Sequence, residues 1–225
     1  MKCKSAEEKV LKVGIVIPAY KEGNVASIVN RVKNIFPNSL IICPCDDKDT
    51  SKLALTAGAI VPPRKKRMGY GKSLVEGLYL AAHTYDCDYI FEMDVDHPVH
   101  ELANMFNVIR EQKMDMCVGN EKAEWKQERR FACWLANFFL VNDIVEHPTC
   151  GFVCFRKKVL TSIPWDHVKS NGDFVHIELL YWATKMKFKI GEYEFNGHSG
   201  ERRYSVTRII DWVMNFSRLI RLKSA

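Results

Sequence analysis

The sequence predicts an α/β protein, with a mostly parallel sheet and helices on both faces. Three observations predict it. Short apolar runs alternate along the chain with segments whose apolar residues recur at helical spacing. The runs are apolar on consecutive residues, as in strands buried on both faces. Polar and acidic residues stand directly after three of these runs, at Tyr20, Asp46-Asp47 and Asp94/Asp96, and open α/β sheets bind ligands at the carboxyl ends of their strands.

The elements follow in order. Val13-Gly14-Ile15-Val16-Ile17 reads as a strand ended by Pro18, and Val25 to Phe36 as a helix with apolar residues at 25, 28, 29, 32, 35 and 36. Leu40 to Cys43 is a second strand, Ser51 to Ala57 a short helix and Ala59 to Val61 a third strand. Lys72 to Ala82 is an amphipathic helix entered through Met68-Gly69-Tyr70-Gly71, and Tyr89 to Met93 is the strand that ends on Asp94-Val95-Asp96. A helix from Val99 to Arg110 and a strand from Met116 to Gly119 complete a βα series. The second half is more mixed: helix 128–141, strand 151–155, helix 174–186, strand 188–195 and a terminal helix 206–222. With no Gly-, Pro- or Ser-rich linker and no repeat, residues 1–225 are expected to form a single domain.

Composition narrows the class. The 225 residues are 47% hydrophobic and 27% charged, a globular balance, and no apolar run reaches the length of a membrane-spanning helix. The N-terminus lacks an apolar signal segment, so a cytoplasmic protein is expected. The eight cysteines have no zinc-site spacing and are expected to be reduced and buried. The net charge of +6 is concentrated at Arg64-Lys65-Lys66-Arg67 and in the C-terminal segment, a distribution suited to a polyanion or to a solvated face.

Asp94-x-Asp96 is the sharpest candidate site. Two hard oxygen ligands at a strand end suit Mg²⁺ or Mn²⁺, which would neutralise charge on a departing diphosphate; two solvated carboxylates would look the same. His198, in a Gly-flanked loop, is either a further metal ligand or a surface residue. Asp46 and Asp47 could accept hydrogen bonds from a nucleoside, with helix capping by Asp49 or Thr50 as the alternative. Lys72, at a helix start after a Gly-rich turn, could meet phosphate. That turn is not an ATPase P-loop, because Lys66 stands where the first Gly belongs. Asp173 and Glu178 are candidates for acceptor activation or for orienting the site, and either could instead cap a helix or form an ion pair.

Taken in order, these segments resemble the family 2 glycosyltransferases of GT-A (Rossmann-like) fold, particularly the dolichyl- or polyprenyl-phosphate mannosyl- and glucosyltransferases. Val16-Ile17-Pro18-Ala19-Tyr20-Lys21-Glu22 resembles the family's opening V-I-P-A-Y-N-E, and Phe91-Glu92-Met93-Asp94-Val95-Asp96 its F-E-M-D-A-D metal site. Asp46-Asp47, Gly69-Tyr70-Gly71-Lys72, Glu128 to Asn137, Thr149-Cys150-Gly151-Phe152 and Gly172 to Glu178 resemble further family segments, colinear over about residues 12–222. The resemblance implies an inverting, metal-dependent enzyme using a UDP- or GDP-sugar. It implies that Pro18, Ala19, Tyr20, Glu22, Asp46 and Asp47 hold the nucleoside and Asp94 and Asp96 the metal. Arg130 and Arg202 would meet phosphate. The metal loop departs from the family pattern: His97-Pro98 follows Asp96 directly, two residues short, so His97 could replace a missing glutamine ligand.

Two acceptors are argued from the sequence, and a protein or small-molecule hydroxyl stays open beside them. A polyprenyl phosphate would bring the protein to a membrane surface, through an apolar face of the terminal helix (Ile209, Ile210, Trp212, Val213, Phe216, Leu219, Ile220) that could equally cover the sheet. A hydroxymethylated pyrimidine in DNA, of the kind phages modify inside an infected host's cytoplasm, would use the Arg64–Arg67 cluster with Trp125 and Lys126. A third reading is a nucleotide-sugar-binding module without turnover. No obligate protein partner is evident.

Overall fold

The computed structural model describes residues 11–122, 127–197 and 206–224. Six strands, β1 (Val13–Val16), β2 (Leu40–Ile42), β3 (Tyr89–Glu92), β4 (Met116–Glu121), β5 (Val153–Arg156) and β6 (Ile190–Phe195), form one sheet in the order β2-β1-β3-β5-β4-β6. β1 is parallel to β2 and β3, and β4 to β6, while β5 is antiparallel to both of its neighbours. The class is the predicted one. The reversed β5 is new, because a strand's apolar pattern carries no direction. Residues 59–61, expected as a strand, make only an isolated bridge from Ile60 to Ile42.

The helices are α1 (Val25–Ile35), α2 (Lys48–Thr56), α3 (Tyr70–Tyr79), α4 (Glu101–Glu111), α5 (Gln127–Ala136), α6 (Lys157–Ser162), α7 (Val175–Lys185) and α8 (Val206–Ser224). α3 and α5 run on into single π turns, Leu80–Thr84 and Asn137–Val141, which accounts for the longer helices the periodicity predicts there. Both faces of the sheet are covered. Phe91, paired with Ile15, meets Phe36 and Phe106 on one side. Val16 points to the other side, where a Cβ on Gly77 of α3 would lie 2.4 Å from its Cγ1. The seven cysteines among the described residues are free and buried. Burial pushes the Cys45 thiol up to about 11 and the Cys117 thiol up to about 12, which keeps them protonated and unreactive.

Asp47, not Asp49 or Thr50, caps α2. Its Oδ1 accepts from Thr50 N at 2.9 Å, and its Oδ2 accepts from Lys21 N at 2.7 Å, tying the exit of β1 to the start of α2. Partial burial opposes the charge, but the Lys21 and Thr50 amides outweigh it and hold the carboxyl below its ordinary value of 3.8. A depressed native pKa contributes stability that is present above the unfolded value and lost as pH falls through the native one. Asp47→Ala is therefore expected to cost about 1 kcal/mol in urea unfolding at pH 7. The deficit should shrink below pH 3.8; a deficit unchanged at acid pH would sink the charged-cap account.

Candidate active site

β1, β2 and β3 end together, and their C-terminal extensions enclose a cleft of about 430 Å³. Pro18-Ala19-Tyr20 continues β1 along it, held by Ala19 N donating to Pro44 O at 3.3 Å and Asp46 N donating to Ala19 O at 3.2 Å. The Tyr20 ring is exposed, and the Arg67 guanidinium stacks over it at 3.9 Å from the centroid. The next residue, Lys21, has φ 58, a left-handed conformation uncommon outside glycine; its backbone N–H, donating to Asp47 Oδ2, holds it there.

Where β3 ends, Asp94 and Asp96 enter the same cleft, and Glu22 faces them from the β1 side. Burial pushes the Glu22 carboxyl above its ordinary value, and the negative charges of Asp96 and Asp94 push it further. Negative charge gathered around Glu22 in this way makes a site that a cation would relieve. Ligand atoms of Asp94, Asp96 and His97 lie within 4.8 Å of one another. Hard oxygen donors of this kind fit Mg²⁺ or Mn²⁺. One nitrogen of His97 serves the turn: Nδ1 accepts the Asp94 backbone N–H at 2.8 Å. Its buried ring packs between Phe152 and Phe195, at 5.4 and 6.3 Å. The turn thus engages Nδ1 of His97, and the residue still stands with Asp94 and Asp96 in the group that could hold a cation.

The far wall carries Asp173, just before α7, and Arg208 in the first turn of α8; Arg208 Nε and Asp173 Oδ1 are 3.2 Å apart. Of the predicted residues, Pro18, Ala19, Tyr20, Glu22, Asp46, Asp94, Asp96 and Asp173 line the cleft. Asp46 does so with its carboxylate already engaged: Oδ2 accepts from Gly69 N at 2.7 Å and Met68 N at 3.1 Å, and Oδ1 lies 3.2 Å from Arg64. It shapes the loop that carries Arg67.

Other expectations are corrected. Asp47 is a helix cap, as above. Lys72 projects to the other side of α3, beside Val75, Tyr79 and Lys169. Arg130 is exposed on α5, outside the residues that line the cleft. Glu178 is fully buried behind the site: it accepts from Lys169 N and Ser170 N and pairs with Arg218. Of the alternatives left open for it, the ion pair is the one found. Arg202 and His198 lie outside the described residues, as do Trp125 and Lys126.

Arg67, Tyr70, Arg208 and His176 are the residues sequence reasoning did not single out. Arg67 and Arg208 were visible only as members of basic clusters, and their partners Tyr20 and Asp173 are 47 and 35 positions away. Tyr70 sits in the Gly-Tyr-Gly turn, and its hydroxyl donates to Asp94 Oδ1 at 2.9 Å. Gly69 enters this turn at φ 86. A Cβ on Gly71 would lie 2.5 Å from Ser170 O, so residue 71 must be glycine for the α3 start to meet the 170–172 loop.

No family model matches the chain, and no curated protein matches it by sequence. Solved structures match it in fold. Glucosyl-3-phosphoglycerate synthase from Mycobacterium tuberculosis in complex with Mn²⁺ and uridine-diphosphate-glucose has a TM-score of 0.69 at 16% identity, over 94% of this chain and 78% of that one. Its complex with Mg²⁺ and uridine diphosphate gives 0.69 at 17%, over 92% and 80%. The complex with Mn²⁺, uridine diphosphate and glucosyl-3-phosphoglycerate gives 0.67 at 18%, over 94% and 77%. The chain shares their α/β, Rossmann-like architecture.

Proposed function

We propose that this chain is a metal-dependent glycosyltransferase that moves a hexose from a nucleoside-diphosphate sugar to a polyprenyl phosphate at a membrane surface. The observation that carries the transfer reading is the convergence of Tyr20, Glu22, Asp94, Asp96 and Asp173 in one cleft at the strand ends. Pro18 to Tyr20 would take the nucleoside, with the Tyr20 ring and Arg67 against it. Asp94 and Asp96 would hold Mn²⁺ or Mg²⁺, which supplies Lewis-acid neutralisation of the leaving diphosphate. Uridine diphosphate is the nucleotide to try first, because the similar solved structures hold it.

In the transfer, an acceptor oxygen bonds to the anomeric carbon as the bond from that carbon to the diphosphate breaks; a single displacement inverts the centre, as the family resemblance implies. A phosphate oxygen is already anionic and loses no proton. Asp173 then orients Arg208 toward the acceptor phosphate instead of acting as a base, a role its 3.2 Å contact with Arg208 supports.

The acceptor reading draws on the surface beside Arg208. α8 divides its apolar residues: Trp212, Phe216, Leu219 and Ile220 pack on the core, whereas Ile209, Ile210, Val213 and Met214 remain exposed. The sequence offered membrane docking or sheet covering for this face; part of it packs on the core and part is exposed. Exposed Phe131, Trp134, Phe138 and Phe139 of α5 and its π turn add to the apolar surface, with Phe139 in ring contact with Phe216. Apolar area of this kind beside basic residues suits a bilayer interface. No helix among the described residues is long and apolar enough to cross one. The basic run offers less to DNA than its sequence suggests. Arg64 is buried against Asp46 and Glu76, and Arg67 lies on Tyr20.

A mass-spectrometric assay with Mn²⁺ and pooled UDP- and GDP-hexoses tests this. Polyprenyl phosphate in vesicles, 3-phosphoglycerate and duplex DNA with hydroxymethylpyrimidines are offered separately. A hexose gain on the lipid is expected. A gain on another acceptor alone would overturn the lipid assignment, and no transfer or donor hydrolysis under any condition would overturn the transferase reading.

A further inference from the structure

Behind the cation site lies a chain of polar side chains that the proposed chemistry does not itself require. Tyr70, the first residue of α3, donates to Asp94 Oδ1 at 2.9 Å, and its oxygen lies 3.3 Å from His176 Nε2 on α7. His176 Nδ1 is 2.9 Å from Oε1 of Glu92, the last residue of β3. The His176 and Glu92 side chains are 2% and 0% exposed, among Val153, Phe155, Leu179 and Leu180. Burying a carboxylate and an imidazole in apolar surroundings costs several kcal/mol before pairing offsets it, and apolar side chains would pack the same space more cheaply.

The direction of the hydrogen bonds shows what the chain can do. A carboxylate at Asp94 only accepts, so the Tyr70 O–H points to it. The Tyr70 oxygen can then accept from an N–H on His176 Nε2, and a further proton, on Nδ1 or on the Glu92 carboxyl, completes the 2.9 Å contact between those two. The series therefore ends on one defined oxygen of Asp94. Nearby backbone leaves it little freedom: a Cβ on Gly151 would lie 3.3 Å from each of Asp94 Oδ2, His176 Cε1 and Tyr70 Oη.

We propose that Tyr70, His176 and Glu92 are positioning residues that hold the Asp94 carboxylate by Oδ1 and so present Oδ2 to a divalent cation. The proposal rests on the reading of Asp94 and Asp96 as the metal site. Outer-sphere partners that orient a ligand typically change metal affinity about 10–100-fold.

The test is Mn²⁺ binding followed by the loss of the free-ion EPR signal, with UDP present, for the wild type, Tyr70→Phe, His176→Gln and the double variant. Tyr70→Phe keeps the ring and removes only the hydroxyl, so it remains informative should His176→Gln fold poorly, which a thermal melt reports. Tyr70→Phe is expected to weaken Mn²⁺ binding about 10–100-fold. Because His176 acts through Tyr70, His176→Gln should add less than about twofold in the Tyr70→Phe background; a merely structural role would give additive losses. Wild-type binding with unchanged affinity in Tyr70→Phe would overturn the relay while leaving the metal site standing. No Mn²⁺ binding by the wild type would overturn both.

Discussion

Asp94→Asn is expected to lower kcat for sugar transfer by on the order of 10³, and Asp96→Asn by a similar factor. Each exchange removes a charged oxygen ligand from the centre that would neutralise the leaving diphosphate, a contribution of about 4 kcal/mol to the barrier. The fold should be indifferent, because both side chains reach solvent and the amide oxygen introduced by Asp94→Asn could still accept from Tyr70. Thermal melts within about 2 °C of wild type would separate loss of chemistry from loss of structure, since surface changes are usually worth less than about 0.5 kcal/mol. The donor should still bind weakly through Tyr20 and its neighbours. Turnover that survives in both variants with the same Mn²⁺ dependence would move the metal, and the proposed reaction with it, elsewhere.

Glu178→Ala is expected to produce the largest loss of stability. The carboxylate sits at 0% exposure, accepts from Lys169 N at 3.1 Å and Ser170 N at 2.9 Å, and pairs with Arg218 of α8. Burial pushes its carboxyl up despite these donors, as expected for a charge deep in the fold. Its removal strands the amides and takes away one partner of a largely buried pair, at about 3–5 kcal/mol. Arg218, 24% exposed, can turn toward water, so the lower figure applies. About 3 kcal/mol corresponds to a Tm lowered by roughly 6–12 °C in a chain of this size. Activity should fall as well, because the 169–172 loop receives Gly71 N on Asn171 O at 3.0 Å and leads directly to Asp173. If Glu178 were instead a catalytic base, Glu178→Gln would abolish turnover with little change in Tm. That result would reverse the assignment made here.

How far the sequence could be read depended on the range of the interactions. The strands from Val13, Leu40, Tyr89 and Met116, and the helices between them, follow from apolar spacing that each segment carries within itself. The pair at Asp94 and Asp96 was legible for the same reason, since two residues at one strand end need no distant partner to mark them. Asp46 and Asp47 were legible as acids at a strand end but not in their roles. Only folding brings the amides of Gly69 and Lys21 to them and makes one a loop anchor and the other a cap. The direction of β5 was settled by the path of the chain, because alternation and hydrophobicity are the same read from either end.

By itself, then, the sequence determined the α/β class, the strand ends that supply the cleft and the acidic pair at its centre, all of them local patterns of side-chain size and polarity. Tertiary structure alone decided which charges remain available there. It buried Glu178 on Arg218, tied one nitrogen of His97 to its own loop, set Arg208 on Asp173, and placed Tyr70, His176 and Glu92 in a series behind Asp94. A charged side chain takes its function from whatever lies within about 4 Å of it, where Coulomb and hydrogen-bond energies are large. For most of these residues that neighbour is tens of positions away in the chain.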